Sequence, residues 1–427
     1  MKRSGSARAL GVDFGTSNSA AALVDDAGQV RMVPLQASRN EMPTAVFFSS
    51  ESNAVLFGAT AVQAYLSGTE GRLLRSLKSL LGSALMHEYT EVNGRSLRYF
   101  DIVVLFLREL KARSEAYCGT TLSHAVLGRP VHFVDEDPGR DALAQETLGQ
   151  AAREAGFTHI DFQLEPIAAA LDYEQRLTGE TSALIVDIGG GTSDFSVLRL
   201  NPARSASSAR AADILATTGI HTGGTDFDRL LDLLCVMPLL GHRHTGPSGR
   251  PVPSSVFFDL STWHLIHQAY TRKALHFARE LWTDYADQTL HARLMLALQE
   301  QHGHRMLAAV EHAKIACSVN AQVAPIALDF LETGLSAELE PQAMAQALAP
   351  ALAPVLQCAR DCVAQSGLDR VDLVYLTGGS SALAPWVQAL QTAMPWATLV
   401  HGERFGGVAA GLAVAGARDS VGTACHV

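Results

Sequence analysis

Apolar and polar positions alternate in short bursts at the start of the chain and fall into helical spacing further on. Residues 10–14 read as a strand, 15–17 as a glycine turn and 19–24 as the partner strand. "DDAG" then turns the chain into a third strand over 29–35. No helical stretch separates these runs, so they predict a β-meander. Residues 102–118 put Ile102, Leu105, Phe106 and Leu110 on one helical face. "HAVLGRPVHF" predicts a strand ending at 128–130, and residues 139–155 a helix that Gly156 stops. Glu165 and Pro166 open another helix. After the strand–turn–strand of "ALIVDIGGGTSDFSVL" come a polar loop over 201–212 and a helix over 226–240. Residues 241–254, rich in Gly, Pro and His, read as an exposed insertion. Most windows from 260 to 318 read as helix. "VDLVYLTGG" is a late strand, with Ser380 and Ser381 opening a helix that carries Pro385 in its first turn. "FGGVAAGLAVAG" reads as a closely packed small-residue helix.

One pattern occurs twice. "GVDFGTSNSAAAL" and "IVDIGGGTSDFSVL" both run apolar strand, Asp, glycine turn, Thr-Ser, apolar strand. The echo predicts two related lobes, each offering one hairpin to a shared cleft. Glycines at a hairpin tip let backbone N–H groups approach an anion with no Cβ in the way, and successive N–H groups form a nest for phosphate oxygens. Thr16, Ser17 and Thr192 add hydroxyls. Asp13 and Asp187 would repel a bare phosphate, and that conflict disappears if Mg²⁺, which keeps several waters, sits between them. Either turn alone is explained by a tight hairpin; the matched pair has the composition of a Mg-nucleotide clamp. Other phosphate motifs fail. There is no G-x-x-x-x-G-K-[ST], and "GGGTSD" is followed by a strand where a dinucleotide fold needs a helix.

Composition narrows the function classes. The 427 residues carry a net charge of −10 and no Lys/Arg cluster, which argues against nucleic acid. No apolar run reaches the roughly 18 residues of a membrane helix, and "MKRSGSARAL" leaves no room for a signal segment; the scattered cysteines point to a reducing compartment, so a cytoplasmic protein is expected. The six cysteines form no C-x-x-C pair; Cys358 and Cys362 read as small core residues on one helical face. His242 and His244, His264 and His267, and His302 and His304 lack the Cys/Asp partners of a zinc site. They read as solvated insertion and helix-surface histidines.

At the glycine turns the sequence resembles the nucleotide-binding domain of DnaK-type heat-shock chaperones, in the short YegD-like branch of the actin/hexokinase/chaperone ATPase superfamily. "VDFGTSNSAAAL" and "VDIGGGTSDFSVL" look like the two phosphate loops, "LEPIAAAL" and "FGGVAAGLA" like the connecting helices. "TGGTDFD", "VEHAKIACS" and "YLTGGSSALAPWV" look like the segments around the nucleoside. The resemblance spans about 9 to 416 and implies an α/β, bilobal actin-like ATPase fold, two ribonuclease-H-like lobes around a nucleotide cleft. Lobe I would cover 8–178 and lobe II 179–416, with a helical adenosine subdomain over about 226–318, a last helix returning to lobe I, and a short tail over 417–427.

The resemblance also implies site roles. Gly15, Thr16, Ser17 and Asn18 would line the first phosphate loop, and Gly190, Gly191 and Thr192 the second, supported by Asp194. Lys78 would reach the transferred phosphate and its attacking water. Glu165 and Asp187, with Asp13 opposite, would hold the Mg²⁺ shell, mainly through water. Gly223, Gly224, Glu311, Lys314, Ser318, Gly378, Gly379, Ser380 and Ser381 would meet the nucleoside. Two departures stand out. Ile315 and Ala382 occupy positions where family members often stack adenine between arginines. The eleven residues after Gly416 are too few for a peptide-binding β-sandwich, so no peptide-binding domain is expected. The expectation is a slow Mg-dependent ATPase of chaperone type, cofactors ATP/ADP and Mg²⁺, whose lobe closure follows nucleotide. It would be a monomer with protein clients or co-chaperones as partners. The alternatives are a non-hydrolysing nucleotide-gated interaction module, an actin-like filament protein and a small-molecule kinase.

Overall fold

In the computed structural model the described residues are 9–422, except 38, 135–136, 175, 205–209 and 403–405. Two sheets repeat one plan. In the first, His159–Leu164, His124–Arg129, Ala9–Phe14, Asn18–Val24 and Val30–Met32 lie side by side in that order, with Glu41–Pro43 also paired to Asn18–Val24. In the second the order is Thr398–His401, Leu373–Thr377, Thr181–Ile188, Ser193–Leu200 and Ile214–Ile220. Each is an antiparallel three-strand meander extended by two parallel strands beside its first member. The sequence echo is thus the visible part of a repeat that covers whole sheets.

The central strands are buried almost without interruption because helices cover both faces. Leu10, Val12 and Phe14 share a core with Phe106, Leu107 and Leu110 of the helix Tyr99–Cys118. Ala20 and Ala22, on the other face, pack on Ala409 and Ala413 of the last helix, Gly407–Gly422. That helix also crosses Glu165–Glu174 at backbone contact: a Cβ at Gly411 would overlap the Ala168 carbonyl, and one at Gly11 would overlap the Ala413 amide. Small residues are required here because two backbones, not two side chains, define the spacing.

Several expectations need correction. The third strand is only Val30–Met32; Val33 and Leu35 are buried beyond it as irregular chain. At the two described ends of the polar 201–212 stretch, Arg204 and Arg210 are anchored. Arg210 is buried, donates to both Glu174 oxygens at 2.7 and 2.8 Å, and pairs with Asp213, itself 2.7 Å from Arg204. The 241–254 insertion is not wholly exposed, because His242 and Val252 are drawn into the core, His242 edge-on to Phe257. His304 is also buried, against Trp263 at 4.4 Å, rather than on a helix surface. The helix after the late strand begins at Ala384, not at Ser380, so those serines form the turn before it. The last helix runs through Gly422, past the point where a tail was expected. Cys362 is in the core and Cys358 half-buried, as the spacing suggested. Among the described residues no helix is long and apolar enough to cross a membrane.

One buried acid costs stability. Asp232, on the helix Gly224–Cys235, is fully buried, and neither carboxylate oxygen is in hydrogen-bonding geometry. Burial pushes it up to about 7, and the Ser261 hydroxyl, which is outside hydrogen-bonding geometry, counters little of that. A raised folded value means the unfolded chain ionises first, so stability falls as pH rises from about 4 to about 7 and then levels off. Asp232→Asn is expected to stabilise the fold by about 2–4 kcal/mol at pH 7.5 and by much less at pH 4.5. Denaturant unfolding at both pH values measures it, and equal gains at the two would contradict the ionisation argument.

Candidate functional site

The two hairpin tips meet between the sheets. Gly190 lies so close to Ser17 that a Cβ there would overlap the serine hydroxyl. The first tip is pinned by Thr44, a residue the sequence did not flag. Its hydroxyl donates to the Gly15 carbonyl at 2.8 Å and lies 2.8 Å from the Ser19 hydroxyl, while its amide donates to the Ser17 carbonyl at 2.9 Å. The second tip is closed by Gly189 N–H to the Thr192 carbonyl at 3.0 Å and by the Thr192 hydroxyl donating to Asp194 at 2.9 Å. The 223–225 turn docks on it: Gly224 N–H donates to Gly189 at 3.0 Å, and both the amide and the hydroxyl of Thr225 donate to Gly190, at 2.7 and 2.8 Å. Ser380 N–H donates to Ile188 at 2.9 Å, which brings the 378–381 turn to the same place. Gly378 is obligatory there, since its φ is 82° and a Cβ would overlap the Asp187 carboxylate.

Beneath the tips four charged side chains converge. Asp13 is the last but one residue of the strand Ala9–Phe14 and Asp187 holds the same place in Thr181–Ile188; Glu165 opens its helix; Lys78 sits in the short 3₁₀ turn Leu77–Leu80. Lys78 Nζ donates to Glu165 Oε1 at 2.7 Å, with both side chains mostly buried. Gly128, across from Glu165, leaves room for it: a Cβ there would come within 3.1 Å of its Cγ. Three acids share one cation, and the electrostatics follow. Burial and Glu165 raise Asp13 to about 7 despite Lys78. Burial, then Asp194, Glu165 and Asp13, raise Asp187 to about 8. Burial works against a charged Lys78, but Glu165 and Asp13 outweigh it and hold the ammonium above its ordinary value. A cavity of about 100 Å³ opens beside the acids, walled by Glu165, Asp187 and Asp194 and by Thr217, Thr218 and Thr377.

The remaining candidates lie in the second half of the chain. Glu311 is exposed on the helix Gly303–Asn320, with Ile315 48% exposed one turn on. Lys314 faces inward, ion-paired to Asp228 at 2.8 Å and 3.4 Å from the Gly224 carbonyl. Ser318 accepts the Ala384 amide at 2.8 Å and so ties this helix to the start of Ala384–Ala393; the Ser381 hydroxyl donates to Gly378 at 2.8 Å. The structure therefore brings Asp13, Lys78, Glu165 and Asp187 together under the tips and gathers 189–192, 223–225 and 378–381 above them. Lys314, expected beside the nucleoside, is ion-paired to Asp228 and lies beside the Gly224 carbonyl. Among the described residues no three His, Cys, Asp or Glu side chains converge as a direct metal site.

The Hsp70 protein family model matches residues 9–237, more than half of the chain. The chain belongs to the Hsp70 family. The family has the actin-like ATPase fold, and the doubled sheet described above is that fold in this chain. Among curated proteins, the chain is 31% identical over 226 residues to the chaperone protein DnaK of Thermotoga petrophila, and equally so to those of Thermotoga maritima and Thermotoga neapolitana. Each match covers 52% of this chain and 35% of the relative's length, so the alignment spans about a third of the Hsp70 relatives it matches.

Proposed function

We propose that this Hsp70-family chain binds Mg-ATP between its two lobes, hydrolyses it slowly, and changes lobe closure with the state of the nucleotide. Lobe I is taken as 8–178 and lobe II as 179–416, with the last helix returning to lobe I. The observation that carries the reading is the group of Asp13, Lys78, Glu165 and Asp187 directly beneath two glycine tips that nearly touch. The tips, with Gly15, Thr16, Ser17 and Asn18 on one side and Gly190, Gly191 and Thr192 on the other, offer N–H and hydroxyl donors to phosphate oxygens. Glu311, Ser318, Gly378, Gly379 and Ser380 face the nucleoside.

The acids fit a divalent cation. Three carboxyl groups face one lysine, and burial has pushed two of them up so far that they resist ionising; a cation held through water by Asp13 and Asp187 would restore their charged forms. When bound, it neutralises phosphate charge. Glu165 and Asp187 accept hydrogen bonds from the attacking water and hold it in line. Lys78 donates to the γ-phosphate oxygens as the water oxygen bonds to phosphorus and gives its proton to a phosphate oxygen, while the bond to the bridging oxygen breaks and ADP leaves with the electron pair. Positioning and charge neutralisation suffice for this chemistry. Protein clients or co-chaperones are the partners that nucleotide-driven closure would serve.

Calorimetric titration with ATP tests the binding half. The expected result is stoichiometric binding with Mg²⁺ and at least about tenfold weaker binding without it. No heat and no thermal stabilisation at millimolar Mg-ATP would sink the proposal.

A further inference from the structure

Four side chains meet where the first half of the chain touches the second. Tyr65 lies on the helix Ala59–Leu66 and Arg75 ends the strand Gly71–Arg75, both in the first half. Trp263 follows the helix Ser255–Ser261, and His304 opens Gly303–Asn320, both in the second half. The Tyr65 hydroxyl is 2.9 Å from His304 Nδ1, and the two rings meet edge-on at 5.0 Å. His304 Nε2 is 3.1 Å from the Trp263 carbonyl, the indole lies 4.4 Å from the imidazole, and the Arg75 guanidinium sits 4.5 Å over the indole. A carbonyl only accepts, so Nε2 carries the proton and Nδ1 accepts from Tyr65. The contact uses the neutral imidazole.

Its position gives it leverage. Arg75 is three residues before Lys78, joined to it through Ser76, which is held at φ 57°. His304 shares its helix with Glu311, Lys314 and Ser318, and Glu311 attracts Arg75. The contact therefore couples the segment carrying the candidate phosphate lysine to the helix carrying candidate nucleoside residues. We propose that Tyr65, Arg75, Trp263 and His304 form a clasp that holds the two lobes closed and that acid loosens. The nucleotide as the enclosed ligand rests on the function proposed above; the clasp itself does not.

The sign follows from what closure does to the imidazole. The titratable and charged groups facing His304 are Tyr65, Arg75 and His267, with Glu311 facing Arg75 and Tyr270 accepting the neighbouring Gly303 amide. Burial first, then Arg75 and His267, hold it down to about 4. In parted lobes the ring is free to titrate near its ordinary value of about 6.5. Closure is therefore at full strength above about pH 6.5 and is lost as pH falls toward 4. Between pH 7.5 and 5.5 it weakens about tenfold.

Two measurements test this. The first is release of fluorescent ADP by stopped flow. In the wild type it is expected to be about tenfold faster at pH 5.5 than at 7.5. Tyr65→Phe is expected to release about fivefold faster than wild type at pH 7.5, and His304→Gln to lose the pH dependence. The second is hydrogen exchange of Ala59–Leu66 and Gly303–Asn320 without nucleotide, corrected for intrinsic rates, where wild-type protection is expected to fall at pH 5.5 and the His304→Gln profile to stay flat. The same pH dependence in wild type and His304→Gln, or unchanged release from Tyr65→Phe, overturns the clasp. Absent ADP binding alongside pH-dependent protection counts against the ATP reading and leaves the clasp supported.

Discussion

Lys78→Ala is expected to lower single-turnover ATP hydrolysis by about a hundredfold or more, while nucleotide affinity changes by less than about tenfold. Two effects combine. The donor proposed to follow the γ-phosphate into the transition state is gone, and donors of that kind are worth about 3–4 kcal/mol in a water-poor site. The variant also leaves Asp13, Glu165 and Asp187 with no cation. The lysine is the group that pulls Asp13 and Asp187 downward, so both rise further and stay protonated over more of the neutral range. Lys78→Arg is expected to recover charge balance but only part of the rate, since a planar guanidinium cannot replace a compact ammonium at 2.7 Å from Glu165. Rapid-quench hydrolysis with limiting ATP, beside a melting curve to show that each variant is folded, measures both. A rate within twofold of wild type for Lys78→Ala would remove Lys78 from the chemistry.

Gly411→Val is the substitution expected to damage the fold most. The missing Cβ lets the last helix lie against the backbone of Glu165–Glu174, and what a side chain would meet is the Ala168 carbonyl oxygen, which cannot rotate away. The helices must part, and Glu165 opens the one that moves. The expected cost is about 4 kcal/mol or more, a fall in melting temperature of about 5–10 °C. Ala410→Val, on the same helix but half-buried, is the control and is expected to cost less than about 1 kcal/mol. Equal melting points for the two variants would contradict the close crossing.

What could be read from the sequence were features with a local signature. Asp, glycine and hydroxyl at the end of an apolar run announced both hairpins, and their echo announced the doubled sheet. The small-residue stripe of the last helix announced its close packing. The helix Pro341–Gln365 was legible only near its end, where Cys358 and Cys362 share a face; Pro350 and Pro354 lie in its interior, where proline ordinarily breaks a helix. Both are exposed and one turn apart, so the missing N–H groups and the ring bulk fall on the solvent side. Nor was polar burial legible where the partner is distant in sequence. Arg210 looks like a loop arginine until Glu174 and Asp213 surround it, and His304 looks like a surface histidine until Tyr65 arrives from the first half of the chain. In the candidate site the reacting groups carried family-like context, but the residues that hold them did not. Thr44 and Gly128 are defined only by what they touch, and the inward turn of Lys314 depends on Asp228.

The central claim is hydrolysis across the cleft, and one measurement addresses it most directly: rapid-quench formation of phosphate from radiolabelled ATP, with wild-type protein in excess and Mg²⁺ present or chelated. The account predicts one phosphate formed per ATP bound in a slow single exponential, abolished by chelation and slowed about a hundredfold or more by Asp187→Asn. ATP that stays bound and intact for hours in the presence of Mg²⁺, or hydrolysis that Asp187→Asn leaves untouched, would contradict it.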